Sequence, residues 1–411
     1  MEWSGKAPRA LTFLVVSIAF VTASAAAVTE VEAVRLFLQS SPRADRGALA
    51  ERSVRARLQA EARIANPEIA YQLEEAADVR DEFLTLQLEL PISGRRGLLA
   101  DRAEVAASAA ALGAEGDLQA DVYEIKLTFH EVLYRERILA TLQENRSLLA
   151  DTVEILERRE REGESSGYDL LRAERELTEL EMAIAETEAA VSAARSRFGS
   201  FFDPDLNMQS ALLEGDLTPT SPIPELPLAI GTAMEKRLDL RSLAAERESL
   251  ELERKAAHRR RFPEPVLTAG GKRTEAPGLA DTGYVVALSL PLPIFDRGHL
   301  DYARASAEGA RVELDTEILA RRIRADVQAA LAREEAARTV AERYGQDITE
   351  RAEELSRIAR LQYDEGETGI LELLDAHRLS LTAQIRALAA RYEAKVAEID
   401  RNRVIGNEVR P

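Results

Sequence analysis

The phrase EGESSGYDLL at residues 162–171 returns as EGETGILELL at residues 365–374. Carried on to Arg175 and Arg378, the alignment holds seven identities in fourteen positions, where chance would leave about one (Glu162/Glu365, Gly163/Gly366, Glu164/Glu367, Leu170/Leu373, Leu171/Leu374, Ala173/Ala376, Arg175/Arg378). A second pair lies upstream at nearly the same offset, LQLELPISGRRGLLADRA (86–103) against LSLPLPIFDRGHLDYARA (288–305), and Asn66-Pro67-Glu68 answers Phe262-Pro263-Glu264. The chain is therefore a tandem duplication in which each half reads strand, strand, long helix, tip phrase, helix. Two copies are too few for a solenoid, which needs roughly three or more to bury its faces.

Length arithmetic fixes the shape of each half. Residues 96–161 are compatible with helix almost throughout, and at about 1.5 Å per residue they span about 99 Å. Residues 300–364 span about 98 Å by the same rule. Each run stops at the EGE phrase, where glycine followed by Ser, Thr or Gly is helix-ending and turn chemistry, so each phrase predicts a sharp reversal. The returns come in halves. Residues 168–200 and 228–261 each supply roughly 50 Å, as do 371–404 and the N-terminal stretch 29–65 with its Ser41-Pro42 break.

The strands alternate strictly. In FLTLQLELPI (83–92), Leu84, Leu86, Leu88 and Leu90 share one face, with Thr85, Gln87 and Glu89 on the other. Val286, Leu288, Leu290 and Leu292 align with those leucines in the second copy, and EIAYQLEE (68–75) and residues 265–273 supply the partner strands. Strands of about ten residues with one apolar face suit a transmembrane β-barrel, the apolar set facing lipid; the edge of a soluble sandwich is the alternative. Four strands cannot close a barrel, which takes about eight, so copies must pool them.

Composition agrees with long helices packed side by side: aromatics are only 5% and charged residues 31%. Residues 1–27 read as a secretory leader, with Lys6 and Arg9, an apolar run from Leu11 to Val21 and small residues after it; an N-terminal anchor is the other reading. The chain has no cysteine and a net charge of −18. Removing Glu2, Lys6 and Arg9 with the leader makes the mature charge about −19, which disfavours nucleic acid or anionic lipid as partners across the general surface and favours cations.

The expected organisation is a leader (1–27), an N-terminal helical segment (28–65), a strand pair (66–92), a long hairpin (96–201, tip 162–170), a Pro-rich linker (202–227), a helix (228–261), a second strand pair (262–294), a second long hairpin (298–405, tip 365–373) and a tail (406–411).

The duplicated strand pairs, the Asn-Pro-Glu before the first strand, LELPISGRRG after the second, the linker prolines and the paired tip phrases together resemble the TolC family of outer-membrane efflux proteins, and within it the cobalt-zinc-cadmium resistance branch. The resemblance implies a mainly α fold with a transmembrane β part. In a homotrimer, long antiparallel hairpins would form a periplasmic tunnel and the strands a twelve-stranded barrel in the Gram-negative outer membrane. It also implies docking on a periplasmic adaptor and an inner-membrane pump of the RND type. The tips would be the periplasmic mouth.

The resemblance places Glu372 and Asp375 of ILELLDA on two acidic ring positions; their i, i+3 spacing puts both on one helical face. It further implies that Tyr363 bonds Asp169 to hold the mouth shut, with Thr368 where an arginine often stands. Gly163, Ser165, Ser166, Gly366, Thr368 and Gly369 match adaptor-docking turns. His377, two residues past Asp375, is a candidate to line the mouth.

His130, His258, His299 and His377 fall in no metal-ligand spacing, and no nucleotide loop or nucleophile elbow appears, so neither a metal site, a cofactor nor an enzyme is expected. The basic runs SGRRG (93–97) and HRRRF (258–262), with Arg297, predict a positive belt at the membrane face or a solvated collar. The function expected is a passive exit duct for heavy-metal cations or small toxic compounds. The alternatives are the duct of a type I protein secretion system and a periplasmic coiled-coil scaffold.

Overall fold

The computed structural model describes residues 27–407, apart from Glu164 and the side chains of Gln346 and Asp347. The leader expected at 1–27, save Ala27, and the tail beyond Asn407 lie outside the described residues.

Strands β1 (Glu68–Ala76), β2 (Val79–Glu89), β3 (Val266–Ala276) and β4 (Leu279–Ser289) form one antiparallel sheet in the order β1-β2-β3-β4. The two repeats meet at the β2–β3 seam, where Leu86 pairs with Ala269 and Leu84 with Gly271. Ala269 in turn pairs with Val286, and Leu86 with Ile69, so the alternating apolar sets of β1, β2 and β4 fall on one face with Leu267 and Ala269 of β3. Two-residue turns close the hairpins, with Ala77 (φ 55°) and Gly278 (φ 79°) in the left-handed region that tight turns demand.

Strands β2 and β4 begin earlier and stop earlier than alternation predicts, while β1 and β3 run on past their expected ends to Ala76 and Ala276. Pro91, Pro291 and Pro293 carry no N–H, so the ladders end at Glu89 and Ser289. Among the described residues the outer edges of β1 and β4 face no other strand.

Helix α3 (Arg95–Arg161) is one unbroken rod, about 100 Å long. Its neighbours change along its length. Near the sheet it lies between α2 (Arg46–Ala62) and α6 (Leu238–Arg259), tied by Arg55–Glu104 at 3.0 Å and by Ser242 donating to Ala109 O at 3.1 Å. Toward the tips it lies between α4 (Gly167–Gly199) and α9 (Ile370–Ile405), tied by Arg146–Glu181 at 2.7 Å and Asn145–Gln384 at 3.3 Å. A helix with neighbours on two flanks buries two lines of residues, which explains why α3 shows no single apolar stripe.

The second long rod differs from the first. It is α7 (His299–Arg343), a π-helical turn at Tyr344–Ile348 and α8 (Thr349–Asp364). The expectation of an uninterrupted helix over this half is corrected accordingly. Gly345 is a weak helix former, and Thr349 Oγ1 donates to Tyr344 O at 2.7 Å across the widened turn. The return expected over 228–261 is likewise broken, at Arg237, between α5 (Leu226–Lys236) and α6.

Midway along the rods the half-length helices meet. There α1 (Glu30–Ser40) packs Phe37 against Phe129, Phe198 and Leu217. Val28 pairs with the linker, its N–H donating to Leu212 O at 2.8 Å while Glu214 N donates to Val28 O at 3.0 Å. Glu30 is held between Lys126 and the buried His130, at 2.8 Å from each. Burial alone would raise the Glu30 carboxyl, but these two partners bring it down to about 2.

The proline-rich linker is clasped by buried charge. Glu398, 2% exposed, accepts at Oε1 from Thr220 N (2.9 Å), Ser221 N (2.7 Å) and Ser221 Oγ (2.7 Å), and at Oε2 from Lys395 (2.8 Å). Arg401 donates to Pro222 O at 3.1 Å and Ser221 Oγ at 2.7 Å, with Glu334 ion-paired to it at 3.0 Å and to Arg338 at 2.6 Å. Near the sheet, Arg102 of α3 and Arg304 of α7, equivalent positions of the two repeats, both pair with the buried Glu253 of α6.

Candidate functional site

The site begins with the two tips. Helix α3 ends at Arg161, and Gly163 takes φ 77° before Ser166 caps α4 by accepting from Asp169 N. Helix α8 ends at Asp364, Gly366 takes φ 74°, and Glu367 N reaches back to Gln362 O at 2.8 Å. That is a Schellman-type closure, followed by Gly369 at the start of α9.

A Cβ at either turn glycine would meet nothing within 4 Å, so it is the left-handed backbone, not a lack of room, that calls for glycine. Gly366→Ala is expected to cost about 1–2 kcal/mol. Thermal unfolding followed by helical signal checks it, and an unchanged midpoint would show that the turn can be rebuilt.

The two tips are packed into one body. Leu142, Leu149 and Leu156 of α3 meet Ala173 and Leu180 of α4 and Ile370, Leu373 and Leu374 of α9. The repeat is not symmetric here: Leu373 and Leu374 are both buried, whereas their counterparts Leu170 and Leu171 are half-buried and 65% exposed. Arg172, standing where the second repeat has Asp375, reaches Tyr168 at 3.4 Å.

Glu372 and Asp375 both lie exposed on the first turns of α9, as their spacing requires. They are not electrostatically equal. Arg378, one more helical turn along, pairs with Asp375 at 3.0 Å, whereas no ion pair or hydrogen bond engages the Glu372 side chain among the described residues. In each chain the pair is therefore one bare carboxylate and one carboxylate compensated by Arg378.

The expected Tyr363–Asp169 bond is absent within the described chain. The Asp169 carboxylate is taken by Ser166 Oγ at 2.8 Å in the α4 cap, and the Tyr363 ring lies under Arg159 at 5.3 Å. Arg159 thus sets a cation against Tyr363 across the hairpins, while Thr368, standing where the resemblance expects an arginine, has a buried Oγ1 with no hydrogen-bond partner among the described residues. No spacing rule could have found Arg159, because it lies 204 residues before Tyr363 (363 − 159).

His377 does not stand beside Glu372 and Asp375. It is half-buried in a groove of about 240 Å³ between α3, α4 and α9, with Leu149 and Leu180. Burial, then the charge of Arg360, pushes its pKa below the usual imidazole value, so it is neutral at neutral pH. No cluster of metal-ligating side chains is found among the described residues.

At the other end, Leu84, Leu86 and Leu88 are 58%, 48% and 36% exposed, and Val286, Leu288, Leu290 and Leu292 are 66%, 67%, 49% and 67% exposed; Leu90 is half-buried. Ile69, Tyr71 and Tyr284 extend the exposed apolar face across the sheet. A band of that width left bare in one chain needs lipid or protein against it. No described helix is long and apolar enough to cross a membrane.

The basic runs are corrected in part. Arg96 pairs with Glu89 at 2.6 Å and Glu264 at 3.5 Å, and Arg260 with Asp296 at 2.9 Å and Asp301 at 2.6 Å. Arg96 fastens α3 to β2 and Arg260 fastens the end of α6 to the loop before α7 and to α7 itself, so neither is free for a headgroup.

Residues 229–407 match the family described as outer membrane efflux protein. The cobalt-zinc-cadmium resistance protein CzcC of Cupriavidus metallidurans is 27% identical over 359 residues, covering 84% of this chain and 81% of that protein. A membrane protein from Pseudomonas aeruginosa superposes with a TM-score of 0.77 at 20% identity, covering 92% of this chain and 93% of its own. CusC, described by its conformational changes on folding and transmembrane channel formation, superposes with a TM-score of 0.73 at 16% identity over 92% and 91%.

Proposed function

We propose that this chain, which resembles the outer-membrane efflux proteins in sequence and shares their fold, is the passive exit duct of a tripartite efflux system. One observation carries the reading. A four-stranded sheet, apolar on one face and unpaired at both edges, stands at one end of hairpins, which are about 100 Å long.

An open edge in lipid would leave backbone N–H and C=O groups unsatisfied at several kcal/mol each, so β4 of one copy must pair with β1 of the next. Three copies give a twelve-stranded barrel, and the rods continue its wall as a tunnel through the periplasm. Leu84, Leu86, Leu88, Leu90, Val286, Leu288, Leu290 and Leu292 would face lipid. The turns at Gly163, Ser165, Ser166, Gly366, Thr368 and Gly369 would meet a periplasmic adaptor, with an RND-type pump beneath.

Glu372 would form the acidic ring of the mouth, with Asp375 held by Arg378. Asp169 and Tyr363 flank it, with Arg159 clamping the Tyr363 ring. Cations drawn to such a ring, the negative charge of the chain and the similarity to CzcC together favour metal cations as cargo.

Sodium carbonate extraction of cell envelopes, followed by electrophoresis without boiling, tests the placement. The duct stays in the membrane pellet and migrates as a trimer that boiling collapses. A periplasmic scaffold washes into the supernatant, and that result would end the proposal.

A further inference from the structure

Where α6 runs into β3, basic side chains converge on a cavity of about 490 Å³ bounded by Leu98 of α3 and Tyr302 of α7. Arg254, Lys255, His258, Arg259 and Arg261 line it, with Phe262 as an aromatic wall. Its one acidic lining residue, Glu251, is already shared by Arg254 at 2.8 Å and Lys255 at 3.8 Å. Arg259 and Arg261 make no ion pair among the described residues; their guanidinium groups lie 5.9 and 4.9 Å from the Phe262 ring.

Counting the four lysine and arginine side chains against Glu251, the cavity carries a charge of about +3 in a chain of −18. Such a concentration of uncompensated charge persists only where an anion offsets it or water solvates it, and the surroundings choose between these. Arg260 fastens Asp296 and Asp301 beside the arginine run, which brings the loop with Ile294 (59% exposed) and Phe295 (92% exposed) alongside. Bare aromatic and aliphatic side chains next to free guanidinium groups are the chemistry of a membrane interface, where a ring sits among acyl chains and a cation reaches a phosphate.

We propose that this cavity is a binding site for the phosphate of an anionic phospholipid headgroup, one per chain, with Phe262 and Phe295 against the lipid's apolar part. Arg259 and Arg261 make the phosphate contacts, Arg254 and Lys255 raise the local potential, and Arg260 holds the wall. The site rests on the reading of the sheet as a membrane barrel, and it narrows the basic belt to those arginines that folding leaves unpaired.

The test uses the purified full chain in neutral detergent, titrated with short-chain phosphatidylglycerol, short-chain phosphatidylcholine and inorganic phosphate and read by isothermal titration. Phosphatidylglycerol is expected to bind more tightly than either of the others. The Arg259→Gln/Arg261→Gln variant is expected to lose about thirtyfold of that affinity, as two interfacial charges would supply. Equal binding of phosphatidylcholine, or undiminished binding by the variant, would overturn the site. Inorganic phosphate binding as tightly as the lipid would overturn the lipid assignment. The heat-sensitive trimer, scored in the same preparations, reports separately on the duct reading.

Discussion

Glu398→Ala is expected to lose about 3–5 kcal/mol, because it strands buried charge rather than a surface pair. The carboxylate satisfies Ser221 N and Oγ, Thr220 N and Lys395 at once, and Lys395 and Arg401 beside it are 7% and 3% exposed. Alanine leaves Lys395 and two backbone N–H groups without acceptors, and the linker loses the clasp that holds the repeats together at mid-height. Urea unfolding of the detergent-held protein reads the loss, together with the fraction recovered in the envelope. A midpoint equal to the parent's would show that the clasp is solvated and dispensable.

The same group sets an acid limit with a definite sign. Burial acts to raise the Glu398 carboxyl, but Lys395 and Ser221 overcome it and hold the folded pKa at about 2 against 4.5. Its contribution is therefore complete above about 4.5 and fades as pH falls toward 2, amounting to about 3 kcal/mol at neutral pH. Glu30, also held at about 2, fades over the same window. The difference in stability between parent and Glu398→Ala should shrink from pH 6 to pH 2 and not grow.

Gly270→Ala is the second large effect. A Cβ there would lie 2.1 Å from Leu84 O and 2.7 Å from Thr85 Cα, and both obstacles are backbone of the paired strand. Strands β2 and β3 would have to part, at a cost of about 3 kcal/mol or more. That seam joins one hairpin of the sheet to the other. The variant is expected to yield little heat-sensitive trimer, whereas Gly271→Ala, whose nearest neighbour is Gly283 O at 3.9 Å, should yield normal amounts. Equal trimer from both variants would contradict the seam.

The long elements were legible because their signals are local. Period-two leucines gave the sheet, and the duplicated EGE turns set the ends of α3 and α8 where φ at Gly163 and Gly366 requires them. Strand limits were less so, since alternation ran on through Leu90 and Leu290 while the hydrogen-bond ladder obeys the prolines. Contacts made only by folding were not legible at all. Glu398 and Ser221 stand 177 residues apart, and Arg159 meets Tyr363 from the other repeat. Arg378 is the instructive miss. It lies in the aligned phrase and within an i, i+3 reach of Asp375, so helix geometry alone would have paired them.

Single-channel conductance in planar bilayers tests the central claim, that this chain is a duct whose mouth is the second tip. The parent should open water-filled pores that divalent cations block when added from the tip side. Because Arg378 already compensates Asp375, Glu372→Ala alone should release most of that block, and Glu372→Ala with Asp375→Ala should release the remainder. Failure of repeated, well-folded preparations to form any channel would contradict the account.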